Sequence, residues 1–498
     1  MERQLDGRTV MLARVVLLTY RNRTVDLSKL EPKQIGVLVL AAPFVLLGAS
    51  GWTEQLLFTT PSPTKYLLTV ITPIIAAIVA LAPSPFLVFV GAAVFVAPAA
   101  TLNVSFFGVS FQALVVACLL AGIPLLLGLT KPVGKSALSA VLPYMLVLAA
   151  IPAARGSNVW EPVSIGLYAA AVVFLCARAI KQHGGLLVVL CSSLTSLLLQ
   201  AALAIWEFQT RSEFDVYTGT IRSTSDYFFD FQSQPRPTGT YSDPISLGTA
   251  LVAAIPVGIA AVYILLQRGK RLAATGVVVA LAVIGVGLAL SLSRMASLGA
   301  LASLVAIVLF APRGARGRMA AMSGGLLAVL LLGAITLGGP SLLERASSVS
   351  DPTARGVVTA DGDRDREFLW NLALETGLEH PVTGVGVGNL NKVLLAHAPG
   401  SSASTHAHSV YLQIFSESGV LGIGALALLL GAVGMDLRRA RARAPVLTAG
   451  LAGAVVALCI AAVTDVVTIR YVAVATTIAP ILGLVVGLAG QDADDRSR

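Results

Sequence analysis

Charged residues are scarce in this chain. They make up 12% of its 498 residues, against about 25% in an ordinary soluble domain. Hydrophobic residues reach 56%, and the mean hydropathy is +0.83. This composition excludes a soluble globular protein and indicates a polytopic membrane protein.

Cysteine is also rare, and no disulfide framework is expected, because all four cysteines fall within apolar runs. No cleavable signal peptide is expected either, since the apolar stretch 15–18 is short and is flanked by Arg14 and Arg21. The segment 361–365 resembles the start of a calcium loop but lacks the later glycine and glutamate of such loops. The sequence therefore predicts no metal and no cofactor.

Apolar runs recur along the chain, each close to the ~20 residues that a helix needs to cross the hydrocarbon core. They predict an all-α fold of about 14 transmembrane helices, since barrel strands would alternate in hydrophobicity. The predicted spans are 35–51, 66–82, 86–101, 111–129, 136–153, 162–180, 185–206, 243–266, 272–292, 295–311, 320–338, 409–434, 446–465 and 470–488.

Lysine and arginine placement predicts the orientation. The basic clusters fall on one side if both termini are cytoplasmic, which places the two long loops outside. The bias also accounts for the net charge of +9 without nucleic acid. The predicted order is a basic cytoplasmic segment (1–34), a membrane scaffold (35–206), an outer loop (207–242), membrane helices (243–338), a large outer catalytic loop (339–408), C-terminal membrane helices (409–490) and a cytoplasmic tail (491–498).

The large loop is the most informative segment. Residues 363–379 place apolar side chains at Phe368, Leu369, Leu372 and Ala373, which predicts a short amphipathic helix. The following segment Gly384–Gly388 predicts a flexible turn before the chain returns to the membrane at His408.

Two ionisable residues stand out where the chain re-enters the membrane. His408 suits a general base at neutral pH, although a histidine that caps a helix start is an alternative. His406 competes for the same role but is expected to point elsewhere once the helix begins. Glu417 lies inside the predicted span, where a charge is costly; it is a functional candidate or the buried partner of an arginine. Asp465 and Arg470 are interpreted as a structural ion pair.

Three arginines fall on the predicted outer side: Arg236, Arg294 and Arg366. Guanidinium groups bind phosphate through paired hydrogen bonds and keep their charge. Together they predict a clamp for a lipid diphosphate headgroup, although each alone is more typical of an arginine that snorkels to the headgroups.

Four segments resemble the O-antigen ligase and polymerase family of membrane glycosyltransferases. The segment from Arg236 to Pro244 resembles the family's Gly-Thr-Phe-x-Asn-Pro stretch, and Ser293-Arg294 resembles its Ser-Arg. Arg366-x-x-x-Trp370 with the following His380–Gly388 is similar to its Arg-x-x-x-Trp and His-Pro-Leu-x-Gly-x-Gly. Finally, the segment from His408 to Gly422 is similar to its His-Asn-x-x-Leu…Glu-x-Gly-x-x-Gly. Two departures are Ser409 and Asp243, each standing where asparagine is usual.

The resemblance implies a glycosyltransferase C-like fold and a glycan donor carried on a polyprenyl diphosphate such as undecaprenyl diphosphate. The acceptor would be a glycan, lipid or protein at the outer face of the cytoplasmic membrane. It implies His408 as the base and Arg294, Arg236 and Arg366 as diphosphate ligands, with His406, Glu417, Trp370 and Ser409 as supporting candidates. Because a neutralised diphosphate is a good leaving group, the implied enzyme needs no metal and serves surface polysaccharide biosynthesis in the cell envelope.

Two other classes remain open on the sequence alone. A transporter or flippase for lipid-linked saccharides would line a membrane route with charged residues, of which Glu417 is the clearest here. A scaffolding membrane protein would tolerate substitution of Arg294 and His408.

Overall fold

The computed structural model describes residues 84–99, 103–106, 109–126, 135–157, 159–215, 220–223, 236–328, 357–397 and 406–490. The predicted segment 1–34, the spans near 35–51 and 66–82, and the tail 491–498 lie outside the described residues. The helices are α1 (Pro85–Val96), α2 (Ala113–Leu126), α3 (Ala137–Ala154), α4 (Trp160–Ala179), α5 (Gly185–Thr210), α6 (Pro244–Gln267), α7 (Arg271–Leu290), α8 (Arg294–Phe310), α9 (316–328), α10 (Val357–Glu379), α11 (Leu390–His397), α12 (Val410–Arg441), α13 (Pro445–Ala461), α14 (Val467–Arg470) and α15 (Val472–Ala489).

Seven of these helices are long and apolar enough to cross a membrane, namely α3, α4, α5, α6, α7, α12 and α15. Helices α1, α2, α8 and α13 are also apolar but shorter. The polytopic helical class is thereby confirmed, whereas the number of about 14 spans stays a prediction. Two short antiparallel hairpins accompany the helices, β1–β2 (Asn103–Phe106 and Val109–Gln112) and β3–β4 (Ser212–Asp215 and Thr220–Ser223).

The centre of the bundle is α6, which packs against α5, α7, α8 and α13 and buries most of its length. Small residues allow these close approaches, as is common between membrane helices. A side chain on Gly299 of α8 would come within 2.8 Å of the Ala457 carbonyl oxygen on α13. The last helix, α15, packs mainly against α4 and is also mostly buried.

The start of α6 follows directly from its sequence. Asp243 is the N-cap residue, and its Oδ1 accepts the backbone N–H groups of Ile245 and Ser246 at 2.9 and 2.8 Å. Pro244 occupies the first turn, where its missing N–H costs nothing. Aspartate caps a helix as well as asparagine does, so the departure from the family pattern at Asp243 preserves the helix start.

Helix α12 differs from the predicted span 409–434, because it runs to Arg441 and is broken at Gly419. Gly419 has φ 58° and ψ −152°, a conformation that essentially only glycine adopts. The break leaves backbone groups of both halves without helical partners. In a bilayer such groups have to be satisfied by other protein groups.

The segment after α10 supplies those partners. The backbone N–H groups of Val385 and Gly386 donate to the carbonyls of Ser416 and Glu417 at 2.9 and 3.0 Å. In return, Val420 and Leu421 donate to the carbonyls of residues 381 and 382 at 2.8 and 3.3 Å. The turn predicted to be flexible at Gly384–Gly388 is therefore held by hydrogen bonds, and the prediction of flexibility was wrong for this reason.

Helix α10 is longer than the predicted 363–379, since it begins at Val357. One side of it, with Leu369, Leu372 and Ala373, packs on α11 and on Ala407 in a small apolar cluster. Phe368 and Leu374 instead stay exposed, at 46% and 42%. Helix α10 thus contacts the loop before α12 through Ala407 and leads directly into the turn that follows it.

Candidate active site

Five segments meet at one end of the bundle, which we call the polar end: 236–243, 291–294, 381–389, 406–409 and 462–471. Arg236 Nη2 donates to the Ser291 carbonyl at 3.3 Å and joins the first two segments. The backbone N–H of Val410 donates to the Ala462 carbonyl at 3.0 Å and joins the last two.

The two histidines before α12 are neighbours. Their ring centroids are 4.3 Å apart with an interplanar angle of 50°. His406 was expected to point away from His408, and this is wrong because the helix begins only at Val410 and His408 adopts a positive φ of 48°. The helix is capped by Ser409, whose hydroxyl accepts the Leu412 N–H at 3.5 Å, so His408 is not the cap.

Both histidines are held in the neutral form. Burial, the neighbouring His408 and Arg470 lower the pKa of His406 to about 3. Burial, followed by the positive charges of Arg366 and Arg470, lowers the pKa of His408 to about 4. The Nδ1 atom of His408 is buried and has no hydrogen-bond partner among the described residues. A neutral imidazole with an unused nitrogen can accept a proton.

Gln413, one turn into α12, orders this loop and was missed by the sequence analysis. Its Oε1 accepts the backbone N–H of Ala407, between the two histidines, at 2.9 Å. Its Nε2 donates to Glu417 Oε1 at 2.7 Å. Glu417 also interacts with the backbone N–H groups of Gly388 and Leu390. Glu417 thus links the histidine loop to the glycine turn.

Two buried polar residues of α5 hold the loop of Arg236. Glu207 Oε2 accepts the backbone N–H groups of Thr238 and Gly239, both at 2.9 Å. Gln200 Oε1 accepts the backbone N–H and hydroxyl of Thr240 at 2.9 and 3.0 Å. Neither residue was predicted from the sequence, although a glutamate and a glutamine next to or within a long apolar run could have indicated them.

The other arginine candidates lie on helix starts and on α10. Arg294 is the first residue of α8 and is exposed, and the helix is capped by Ser293, whose hydroxyl accepts the Ala296 N–H at 3.4 Å. Arg366 lies on α10, close enough to act electrostatically on His408. Trp370 follows one turn later, and its buried Nε1 has no hydrogen-bond partner among the described residues.

Asp465 and Arg470 lie beside the two histidines, and their interpretation as a structural ion pair stays a prediction. Arg470 acts electrostatically on His406, His408 and Glu417. Asp465 is 4% exposed, and its Oδ1 accepts the N–H groups of Val466 and Val467 at 2.7 and 3.2 Å. Burial and the nearby Asp243 raise the pKa of Asp465 to about 7, against the opposing effects of Val466 N–H and Arg366.

One group of side chains at the polar end has the composition of a metal site. Ligand atoms of His406, His408 and Asp465 all lie within 4.8 Å of one another. The arginine candidates offer no metal ligands, because guanidinium groups only donate hydrogen bonds.

Fold and site together define a multi-pass helical membrane protein with a charged, partly buried site at one end of its bundle. Residues 279–427 match the model of the family described as O-Antigen ligase. This match confirms, over the matched segment, the resemblance to the O-antigen ligase/polymerase family that was seen in the sequence. No curated protein shows significant similarity to the chain.

The matched segment contains Arg294, Arg366, Trp370, both histidines and Glu417, whereas Arg236 and Asp465 lie outside it. An O-antigen ligase domain indicates membrane glycan ligation or polymerisation by a glycosyltransferase-like enzyme. It also implies a lipid-linked glycan donor and an acceptor in the membrane.

Proposed function

We propose that this protein transfers a glycan from a polyprenyl diphosphate to an acceptor hydroxyl at the outer face of the cytoplasmic membrane. The reaction would polymerise or ligate a surface polysaccharide and would need no metal. One observation carries the proposal: within the ligase domain, a neutral His408 with a free buried nitrogen lies beside the positive charges of Arg366 and Arg470.

His408 is the general base of the proposed reaction. The acceptor hydroxyl oxygen forms a bond to the anomeric carbon of the donor glycan, and its proton passes to the imidazole. The bond between that carbon and the diphosphate oxygen breaks, and its electron pair leaves with the polyprenyl diphosphate. General-base catalysis of this kind contributes about 10²–10⁴ in rate.

The arginines stabilise the charge that develops on the leaving diphosphate. Arg236 and Arg294 belong to adjacent segments, because Arg236 contacts the Ser291 carbonyl. Arg366 reaches the site from α10, which packs against α12. Fixed positive charges of this kind, aimed at a charge that grows in the transition state, are the largest contribution in many enzymes.

Donor binding would also make His408 a stronger base. The pKa of free His408, about 4, is low for a base that works near neutral pH. A bound diphosphate would neutralise Arg366 and Arg470, whose charges help to lower that pKa. The pKa of His408 would then rise toward its ordinary value in the donor complex, where a proton has to be accepted.

The orientation of the protein in the membrane is inferred from its clusters of basic residues. Arg438, Arg439, Arg441 and Arg443 lie at the opposite end of the bundle from His408. Since basic residues are retained on the cytoplasmic side, the polar end would face outward, where lipid-linked glycans are used.

The test is glycan transfer by purified protein in lipid vesicles, with a lipid-linked glycan as donor and His408→Ala compared with His397→Ala. His397 is an exposed histidine on α11 and serves as the matched control. We expect His408→Ala to lose at least about 10² in rate and His397→Ala to keep it. Equal rates for both variants would remove His408 from the mechanism, and headgroup translocation without transfer would favour a flippase.

Surface glycans of a strain that lacks the gene separate polymerase from ligase. Accumulated single lipid-linked repeat units would identify a polymerase. Full-length glycan retained on the lipid carrier would identify a ligase. A normal glycan surface would contradict both.

A further inference from the structure

The group formed by His406, His408 and Asp465 joins two loops of the polar end. Their ligand atoms lie within 4.8 Å of one another. Two imidazoles and one carboxylate are the ligand set of many zinc sites that keep a position open. We propose that these three side chains bind a divalent transition-metal ion, zinc best of all, and that the bound ion inhibits glycan transfer. The inhibition, unlike the binding, rests on the proposed function of His408.

The backbone already places the ligands around a common point. His406 and His408 are two residues apart, and the positive φ of His408 brings the two rings together. The hydrogen bond from Val410 N to the Ala462 carbonyl fixes their loop to the turn that carries Asp465. Zinc bonds of ~2.0–2.1 Å require ligand atoms roughly 3.5 Å apart. Side-chain rotations that move the ligand atoms by about 1 Å would bring them to this spacing.

The surroundings provide the second layer of contacts that orients metal ligands. Oδ1 of Asp465 accepts two backbone N–H groups, which fixes the carboxylate and leaves Oδ2 for the ion. Gln413 holds the backbone between the histidines through Ala407. Outer contacts of this type typically change metal affinity by about 10–100-fold.

The charged residues around the site determine how tightly it should bind a cation. Arg366 and Arg470 act on the histidines and oppose a cation, whereas Asp465 itself and the nearby Asp243 favour one. We therefore expect reversible binding, weaker than in structural zinc sites. An ion bound to either ring nitrogen of His408 leaves the neutral imidazole without a free lone pair for a proton, so the cation and the transfer reaction compete for His408.

Binding is tested with Co²⁺, which replaces zinc and absorbs visible light when bound to nitrogen and oxygen ligands. Full-length protein in detergent is titrated as wild type, His406→Asn, Asp465→Asn and His397→Asn. We expect one ion per chain for wild type and for His397→Asn, and at least tenfold weaker binding for the other two variants. Gel filtration verifies that each variant is folded. Equal affinity in all four proteins, or no binding by folded wild type, would overturn the site.

Inhibition is measured separately, by adding Zn²⁺ to the vesicle transfer assay and then removing it with a chelator. We expect wild-type transfer to fall and to recover, and Asp465→Asn to require at least tenfold more Zn²⁺ for half inhibition, whatever its own rate. If Co²⁺ binds at the three residues while Zn²⁺ leaves transfer unchanged, the inhibitory role is wrong. If the protein transfers no glycan at all, the proposed function fails and the cobalt titration still decides the metal site.

Discussion

The two ends of the helix bundle use their charged residues differently. At the end opposite His408, Asp436 is completely buried and accepts hydrogen bonds from Ser136 Oγ, Ala137 N and Leu138 N at 2.7, 2.7 and 3.1 Å. Arg443 Nη1 donates to the Leu488 carbonyl, and Lys181 donates to the Gly490 carbonyl. These charged side chains form hydrogen bonds with the first N–H groups of α3 and the last carbonyls of α15, and their role is therefore structural.

At the polar end, charges of both signs instead converge on one another and on two neutral histidines. Asp243 caps α6, yet it also acts on Asp465, which in turn interacts with Arg366. A buried imidazole nitrogen and a buried indole N–H have no partner among the described residues. A charge that completes a helix end is therefore part of the fold, whereas charges gathered around two neutral histidines point to a ligand.

The first prediction compares one arginine from each end. Arg294→Ala should lower glycan transfer by about 10²–10³, by analogy with the loss of one oxyanion donor, without a loss of folded protein. Arg443→Ala should keep the transfer rate per folded molecule and lower thermal stability in detergent, because it leaves carbonyls at the end of α15 with fewer donors. Transfer is measured in vesicles with equal amounts of folded protein. Equal transfer losses for the two variants would erase the distinction between the ends.

The second prediction concerns the break in α12 at Gly419. Gly419→Ala should cost about 1–3 kcal/mol in backbone strain, and more from contact, because its Cβ would meet the Pro381 carbonyl oxygen at 2.5 Å. A Cβ on Gly431, further along the same helix, would meet nothing within 4 Å. Gly431→Ala should therefore be neutral or stabilise by about 0.5–1 kcal/mol. Thermal unfolding in detergent measures both, and a stable Gly419→Ala would contradict the break.

The third prediction tests the structural end alone. Asp436→Asn should destabilise the protein by about 1–3 kcal/mol, because the amide group replaces an acceptor with a donor among three donors. Its transfer rate per folded molecule should equal that of wild type. A reduced rate in folded Asp436→Asn would show that the opposite end also contributes to function.

The sequence predicted what depends on residue type and local pattern. Apolar length predicted helical spans, and paired motifs predicted the family resemblance. The roles of His408, Arg294 and Arg366 stay predictions. It could not predict that His380–Gly388 and Glu417–Gly422 form one unit, because each looks like an isolated motif until the hydrogen bonds across the break of α12 are seen. Gln413, Glu207 and Gln200 were missed because their importance comes from distant backbone N–H groups.

The last prediction concerns the pH dependence of glycan transfer, which should differ between the free protein and its donor complex. With a chelator present, kcat/KM reports the free protein, in which His408 has a pKa of about 4. The base form then persists as the pH falls from 8 to 5 and is lost only near 4. A histidine with its ordinary pKa of about 6.5 would already have lost about tenfold of its base form at pH 5.5.

In kcat, which reports the donor complex, the loss of activity should begin at higher pH, because the diphosphate neutralises Arg366 and Arg470. Identical profiles for kcat and kcat/KM would mean that the arginines around His408 do not meet the donor's charge, and the polar end would then resemble the opposite end.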